Sequence, residues 1–423
     1  MRSISNRRYT KVHEQVLLSH TFSLLMGWLL TVALPSLAYW GLDDFAKPDQ
    51  GRFWGMVTSS VALALAHFTV HRLMSSYPGG RSIGMVIPNV VIIYLLSAIV
   101  PLSLHIGVSR YILVISGLAA LLWFQLQYMV TERFRRPKLA IVPSGQALDL
   151  LGLPDIDGRE LEAPDLKDKR YDGVVADFES LSQEWERFLA RCALDCIPVY
   201  NARTVYESVT GRVRINRMSE NDLGSLLPSP VYSRFKALLD SVLILLTAPI
   251  SLPLVLFTAL CIKLESPGPA LYVQERMGLG NKPFKMYKLR SMRHEPGSCA
   301  LFASEDDDRV TRVGRIIRKY RIDELPQFLN ILKGEMSLIG PRPEQPDFVE
   351  DFDRSLPFYI YRHVVKPGIT GWAQVRQGYA ADVDSTREKI EHDFYYIKHC
   401  SLFLDGFIML LTVKTMFTGF GAR

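Results

Sequence analysis

The sequence predicts a three-part membrane protein: an N-terminal four-helix transmembrane bundle, a small Rossmann-like α/β domain, and a C-terminal α/β-type domain anchored by a re-entrant helix. Three observations predict it. Four apolar runs, at 16–40, 53–73, 83–106 and 111–130, each reach the length of about 20 residues that crosses a bilayer. Short apolar strands then alternate with helical stretches between 139 and 200. A fifth apolar run, 237–262, is interrupted by Pro249 and Pro253 and leads into a polar tail rich in motifs. Hydrophobic residues make up 48% of the 423, high for a soluble chain.

The bundle occupies 1–136. Its first run is too long, and lacks the small-residue cleavage site, for a secretory signal. Arg2, Arg7, Arg8 and Lys11 precede it; Arg72 and Arg81 flank the second turn; Arg133, Arg135, Arg136 and Lys138 follow the fourth run. The intervening loop holds Asp43, Asp44 and Asp49 against Lys47 and Arg52. Basic residues thus alternate with the spans, and the positive-inside rule puts the N-terminus and everything after Arg133 in the cytoplasm. The C-terminal domain is therefore expected on the cytoplasmic face of the membrane.

The net charge of +6 suits an anionic membrane surface or phosphate ligands, and nucleic acid is not an expected partner. A transporter would need polar or charged groups inside its spans. His20, His67 and His105 lie in or near them, but no carboxylate lies deep within, and a lone histidine there reads as a packing residue. Cys192, Cys196, Cys261, Cys299 and Cys400 form no C-x-x-C pair, so neither a zinc site nor a disulfide is expected of them.

In the second part, 137–210, Leu139-Ala-Ile-Val-Pro, Gly173-Val-Val-Ala-Asp and Cys196-Ile-Pro-Val-Tyr read as strands, and 181–194 as a helix. The first strand leads into Pro143-Ser144-Gly145-Gln146, so the dinucleotide fingerprint is absent. The expectation is a degenerate accessory domain. Residues 211–231 read as a polar linker.

The third part spans 232–423. Within 237–262, Pro249 removes a backbone donor and clashes with the preceding turn. A spanning helix would also send the remaining chain to the outer face. A helix broken at Ala248-Pro249, dipping into one leaflet and returning, is preferred over a kinked span.

Paired strands follow, carrying Arg276, Lys288 and Arg290; alone they read as an ordinary solvated hairpin. Arg309, Arg312, Arg315, Arg318 and Arg321 recur at three-residue spacing, with Val313, Ile316, Ile317 and Tyr320 between them. Such a helix suits a membrane interface where arginine grips a lipid phosphate, and equally a solvated surface. Asp323-Glu324 comes next; Pro326 belongs in the first turn of a helix that runs through Phe328, Leu329, Ile331 and Leu332 and stops at Gly334. A lone aspartate there is usually a cap, worth about 1 kcal/mol. Beside arginines and a helix N-terminus it stays ionised, able to coordinate magnesium or attack phosphorus, with Glu324 orienting it or handling a proton. Prolines on both sides of Arg342 aim its guanidinium in a way that suits a diphosphate. Pro367-Gly-Ile-Thr-Gly-Trp372 reads as a rigid loop with an aromatic for a nucleotide or sugar site.

Six segments in order carry a resemblance: Leu264-Glu-Ser-Pro-Gly-Pro, Gln274-Glu-Arg-Met-Gly, Lys288-Leu-Arg-Ser-Met, Asp323-Glu-Leu-Pro-Gln, Gly340-Pro-Arg-Pro and Lys366-Pro-Gly-Ile-Thr-Gly-Trp. Over 232–423 the chain resembles the bacterial sugar transferase family, the polyprenyl-phosphate hexose-1-phosphate transferases or monotopic phosphoglycosyl transferases. The whole is similar to the large members that start exopolysaccharide or O-antigen assembly, and the tail is most similar to exopolysaccharide members, including the exosortase-associated group.

The resemblance implies a location in the bacterial inner (cytoplasmic) membrane, and that Asp323, with Mg2+, attacks the β-phosphate of a UDP-sugar. UMP leaves, and polyprenyl (undecaprenyl) phosphate takes the phosphosugar from the aspartate. Glu324 completes the catalytic pair, Arg318 binds the lipid phosphate, and Pro341, Arg342 and Pro343 contact the diphosphate. Arg276, Lys288, Arg290 and Trp372 complete the nucleotide-sugar contacts. Ala248-Pro249 stands where many members have Ser-Pro, and Leu289 where Phe is common. Glucose and galactose lead as donors by resemblance, and a homo-oligomer is left open. Two other readings compete. Asp306 and Asp308 form an Asp-x-Asp that a metal-dependent glycosyltransferase releasing UDP would use, although a solvated acidic loop is favoured. A non-catalytic membrane scaffold would not need the intact Asp323-Glu324 pair with its arginines.

Overall fold

The computed structural model describes residues 19–76, 83–132, 137–167, 169, 171–215, 228–293, 309–377 and 383–418. The chain divides into two units, Met1–Gly211 and Arg212–Arg423. The N-terminal basic residues, Arg133 to Arg136, most of the expected linker, and the Asp306/Asp308 motif lie outside the described residues.

The first unit opens with four helices: α1 (His20–Ala46), α2 (Gln50–Ser76), α3 (Ile83–Ser103) and α4 (Arg110–Glu132). Each contains a stretch long and apolar enough to cross a membrane. Small residues form the seams between them. Ala62, Ala66 and Ala120 are fully buried, and a Cβ on Gly27 would stand 2.8 Å from the indole nitrogen of Trp123. Some of their polar groups pair across helices: Asn89 donates to Thr69 (2.8 Å) and Gln127 to Ser23 (2.6 Å). Leu95, Leu102, Leu118 and Leu122 face outward. This inverted pattern is that of a membrane protein, whose helices pack through small residues and show lipid their leucines.

Next come β1 (Lys138–Ile141), β2 (Asp157–Glu160), β3 (Gly173–Ala176), α5 (Gln183–Leu194), β4 (Val199–Asn201) and α6 (Ala202–Thr210). The four strands are parallel, in the order β2-β1-β3-β4. Sequence reasoning missed β2, because Asp157-Gly-Arg-Glu is a polar edge strand without an apolar run. In such sheets a ligand crevice opens where the strand order reverses, here between β1 and β3. Asp177 fills that place: its carboxylate accepts from the Gln146 amide (2.8 Å), its own amide donates to Ser144 Oγ (3.1 Å), and a Cβ on Gly145 would collide with it. The chain's own anion sits where a ligand phosphate would meet a helix start.

The second unit begins with α7 (Pro230–Glu265), which has Pro at its first position and Ser229 as cap. The helix starts at Pro230, inside the expected linker 211–231, and its backbone stays helical through Ala248, Pro249 and Pro253. An internal proline forfeits one backbone bond, which kinks a helix that has packing on both sides of it. Thr247 adds to this by donating to the Leu243 (3.0 Å) and Ile244 (3.1 Å) carbonyls.

Both ends of α7 are tied into the unit. At the first, Asp405 accepts from Tyr232 (2.6 Å) and Lys236, and Asp240 accepts from Ser337 Oγ (2.6 Å) and the Leu338 amide (3.2 Å). Ile244 joins a core with Met286, Ile331 and Met336. At the other end, Ile262 joins a core with Ala270, Leu289 and Ile317. Between the two ends Leu245, Leu246, Ile250, Leu252, Leu256 and Phe257 are exposed.

The hairpin β5 (Leu271–Met277) and β6 (Pro283–Leu289) follows, then α8 (Arg312–Lys319), a 3₁₀ turn at Ile322–Gln327 and α9 (Phe328–Leu332). Gly334 ends this stretch with φ 81°, as the sequence predicts. Strand β7 (Ser337–Ile339) pairs in parallel with β8 (Gly368–Thr370), with α10 (Pro346–Ser355) between them. Helices α11 (Trp372–Arg376), α12 (Val383–Lys398) and α13 (Leu402–Thr418) close the unit.

Beyond β7 the backbone of Gly340 is packed against that of Lys366, Gly368 and Gly371, so a Cβ on any of the three glycines would collide with main chain. Gly340→Ala is expected to destabilise the unit by about 1–3 kcal/mol, as overpacking does. Thermal unfolding in detergent, monitored at the buried Trp372, measures it; an unchanged midpoint would mean that the two loops can separate.

Candidate active site

Helix α8 is anchored at both ends. Thr311 caps it by accepting from the Gly314 amide (2.9 Å), and the Glu265 carboxylate at the end of α7 accepts from the Arg312 (2.7 Å) and Val313 (3.0 Å) amides. Gly314 lies flush on Ser291, where a Cβ would strike the carbonyl. That close approach brings Arg318 Nε within 2.8 Å of Ser291 Oγ. After α8, Arg321 adopts a left-handed conformation, φ 53° and ψ 26°. Such a φ is uncommon for a residue with a Cβ, and here it reverses the chain into the turn bearing Asp323 and Glu324.

The two neighbouring carboxylates meet different surroundings. Glu324 is buried and faces three cations: Lys288 Nζ at 3.2 Å, Arg342 Nη1 at 3.4 Å and Arg321 Nη1 at 3.8 Å. Burial alone would raise its pKa, but Lys288, Arg342 and Arg321 outweigh it and hold the group below its usual range. Asp323 is half-buried, and no described side chain or amide hydrogen-bonds its carboxylate. Burial, then repulsion from Glu324, pushes it up to about 6 against the pull of Lys288, Arg342 and Arg318. The sequence reading expected a carboxylate that stays ionised among arginines. In the structure, Glu324 takes most of that cationic charge.

Arg342 is held in place through its backbone. Each carbonyl of its turn has a donor: the Gly368 amide to Pro341 (2.9 Å), Arg362 to Arg342 (2.9 Å) and Arg276 to Pro343 (3.1 Å). Arg362 is buried, and also donates to Asp393 (2.7 Å) and Tyr359 (2.8 Å). Glu344 follows the turn and pairs with Lys389 (2.5 Å) and Arg276 (3.6 Å).

The structure therefore brings Asp323, Glu324, Lys288 and Arg342 together, with Arg318 close enough to act on Asp323. Arg276 stands behind the turn and braces Pro343. Two expected contacts do not join the group. Arg290 donates to the Pro267 and Ser266 carbonyls (both 2.8 Å), tying the strand end to the end of α7. Trp372 is fully buried against Tyr395 and Phe407, a core residue with no face for a ligand. Sequence reasoning did not assign Arg321 or Arg362 to the site. Arg321 closes the arginine series, but its left-handed backbone carries no sequence signal, and Arg362 lies in no motif.

The bacterial sugar transferase family model matches residues 231–419, which include this whole arrangement. A UDP-N-acetylgalactosamine-undecaprenyl-phosphate N-acetylgalactosaminephosphotransferase from Aeromonas hydrophila is 48% identical over 422 residues, 99% of each chain. The chain belongs to the bacterial sugar transferase family. Within that family it is also similar to UDP-glucose:undecaprenyl-phosphate glucose-1-phosphate transferases. The one from Caulobacter vibrioides is 46% identical over 198 residues, 46% of this chain and 74% of that one. The one from Escherichia coli is 41% identical over 184 residues, 43% of this chain and 39% of that one.

For this sugar transferase, a carboxyl held at about 6 is protonated below that pH and ionised above it. Turnover that needs the Asp323 carboxylate is expected to fall as pH drops through about 6. Glu324→Gln removes the like charge, so in that variant the residual activity should keep its acid limb to a lower pH. An acid limb that does not move in Glu324→Gln would sink the coupling. The same sign makes ionised Asp323 a stability cost at neutral pH, so Asp323→Asn is expected to raise the thermal midpoint at pH 8.

Proposed function

We propose that the enzyme transfers a sugar-1-phosphate from a UDP-sugar to undecaprenyl phosphate, releasing UMP and giving undecaprenyl-diphospho-sugar through a covalent intermediate on Asp323. The asymmetry of the carboxylate pair carries this reading. Glu324 is held by three cations, while Asp323 is half-exposed, raised in pKa and, among the described residues, without a hydrogen bond to its carboxylate. A carboxylate so placed is less stabilised in its resting state and more nucleophilic. A merely capping or structural aspartate would be the tied one of the two.

In the first step an Asp323 oxygen forms a bond to the β-phosphorus. The bond from that phosphorus to the UMP oxygen breaks, and UMP leaves with the electron pair. In the second step an oxygen of undecaprenyl phosphate attacks the same phosphorus and the carboxylate is released. Arg342, aimed by its anchored turn, and Lys288 stabilise charge on the phosphoryl oxygens. Arg318 keeps guanidinium nitrogens free beyond its Ser291 contact, and it stands on the helix whose Ile316 and Tyr320 are exposed, where a lipid phosphate would approach.

The donor set suits magnesium. Asp323 and Glu324 offer adjacent hard oxygens, and Glu324 Oε2 is buried without a hydrogen-bond partner. When bound, the ion supplies neutralisation of the diphosphate charge. Asp323 and Glu324 are the residues that would hold it. The full-length similarity to the Aeromonas protein makes UDP-N-acetylgalactosamine the first donor to test, ahead of glucose and galactose.

The reading extends to the membrane. α1 to α4 form the transmembrane bundle, the parallel sheet a Rossmann-like accessory domain, and α7 a re-entrant helix that leaves the second unit on the cytoplasmic face. What supports the re-entrant form is distance. Ile244 and Ile262 would lie about 27 Å apart on a straight helix. They pack in cores that contain Met286 and Leu289 of one strand, about 10 Å apart. A helix bent at its prolines meets both, with the exposed leucines between them in one leaflet.

Membranes containing the enzyme, magnesium and undecaprenyl phosphate are expected to release UMP from one UDP-sugar. Asp323→Asn should lower this at least about 10²-fold. UDP in place of UMP would overturn the reading in favour of glycosyl transfer. In a chain freed of its native cysteines, single cysteines at the exposed positions 234 and 263 should both react with a membrane-impermeant thiol reagent from the cytoplasmic side only, and labelling from opposite sides would mean a spanning helix.

A further inference from the structure

We propose that His20, His67 and His71 form a binding site for a divalent transition-metal ion of the zinc class, clamping the start of α1 to the end of α2. His67 and His71 are four residues apart on α2 and so share one face. His20 opens α1. One ring nitrogen of each lies within 4.8 Å of the other two. The ring centroids are 4.2 Å apart for His67 and His71, 4.4 Å for His20 and His71, and 5.7 Å for His20 and His67. Zinc–imidazole bonds of about 2.0–2.1 Å put the nitrogens of a tetrahedral site roughly 3.4 Å apart, a small rotation of each ring from these positions.

A second observation concerns His67 alone. It is 5% exposed, and its Nδ1 lies 3.4 Å from Ser23 Oγ. That same oxygen accepts from Gln127 Nε2 at 2.6 Å. With Ser23 receiving the Nδ1 proton, the lone pair is left on Nε2, and Nε2 is buried without a hydrogen-bond partner. A side chain that fixes one nitrogen of an imidazole and presents the other is the outer-shell arrangement that orients histidine ligands.

The donor set names the class of ion. Three imidazoles and no carboxylate favour zinc, cobalt, nickel or copper over magnesium or calcium, so the site is chemically separate from Asp323 and Glu324. His20 is exposed, which leaves room for water at a fourth position and a path for the ion. His71 is the last residue of its apolar stretch and His20 the first of its own, so the cluster sits at the ends of both stretches. The sequence reading treated His20 and His67 as separate packing residues. Only the antiparallel placement of α1 and α2 gathers them with His71.

The test uses the full chain without a polyhistidine tag, purified in detergent and stripped with a chelator. Zinc titration is expected to show one ion bound per chain, with a rise in thermal midpoint of several degrees that saturates. Cobalt should give the visible absorption of a tetrahedral nitrogen site and lose it when zinc is added. His20→Gln, His67→Gln and His71→Gln should each weaken binding at least 10-fold and remove the thermal shift, and His105→Gln should do neither. Wild-type protein that binds no zinc, or a triple variant that binds it equally, would overturn the proposal and leave three packed rings. Should the variants fail to fold, the wild-type chain still decides: bound zinc must protect His20 and His71 from diethyl pyrocarbonate, and absence of protection counts against the site.

Discussion

The attraction between Glu324 and three cations from separate parts of the chain is what the catalytic unit is organised around. Lys288 comes from a strand, Arg321 from a left-handed turn and Arg342 from a proline-bounded loop. Each would repel the others without the buried carboxylate between them, and an unpaired buried charge of either sign is costly. Glu324 thus serves as the counter-ion that lets three cations stand close together. Its neighbour Asp323 is left the less stabilised carboxylate of the two, as the proposed nucleophile would be.

Around that centre the chain spends backbone contacts to hold side chains still. The Pro341-Arg342-Pro343 carbonyls are all occupied, and three glycines let two loops touch main chain to main chain. Among the described residues, Arg318 is held through one nitrogen. The difference fits the proposed roles, in which Arg342 meets a diphosphate and Arg318 a lipid phosphate.

The sequence makes the motif residues legible because their chemistry is local. Asp323 next to Glu324, and Arg342 between two prolines, are recognisable without a fold. The four apolar runs and three of the four strands are legible for the same reason, since each is a pattern of neighbours. What the sequence hides is set by long-range packing. Trp372 and Arg290 look like binding residues in their motifs, yet one fills the core and the other ties a strand to a helix end. Pro249 and Pro253 mark in the sequence where α7 loses backbone hydrogen bonds, but not that its residues stay helical on both sides of them. Arg362 acts on the site from a segment with no motif at all.

The placement of α7 has a consequence for how such proteins are assembled over time. The family match starts at 231, inside the helix, so the recurring segment takes in the apolar stretch along with the carboxylates. Its ties to Asp405, Ser337 and the start of α8 are all made within that segment. A piece of chain that brings its own apolar stretch can be inherited alone or joined to different N-terminal partners, and that stretch travels with the carboxylates.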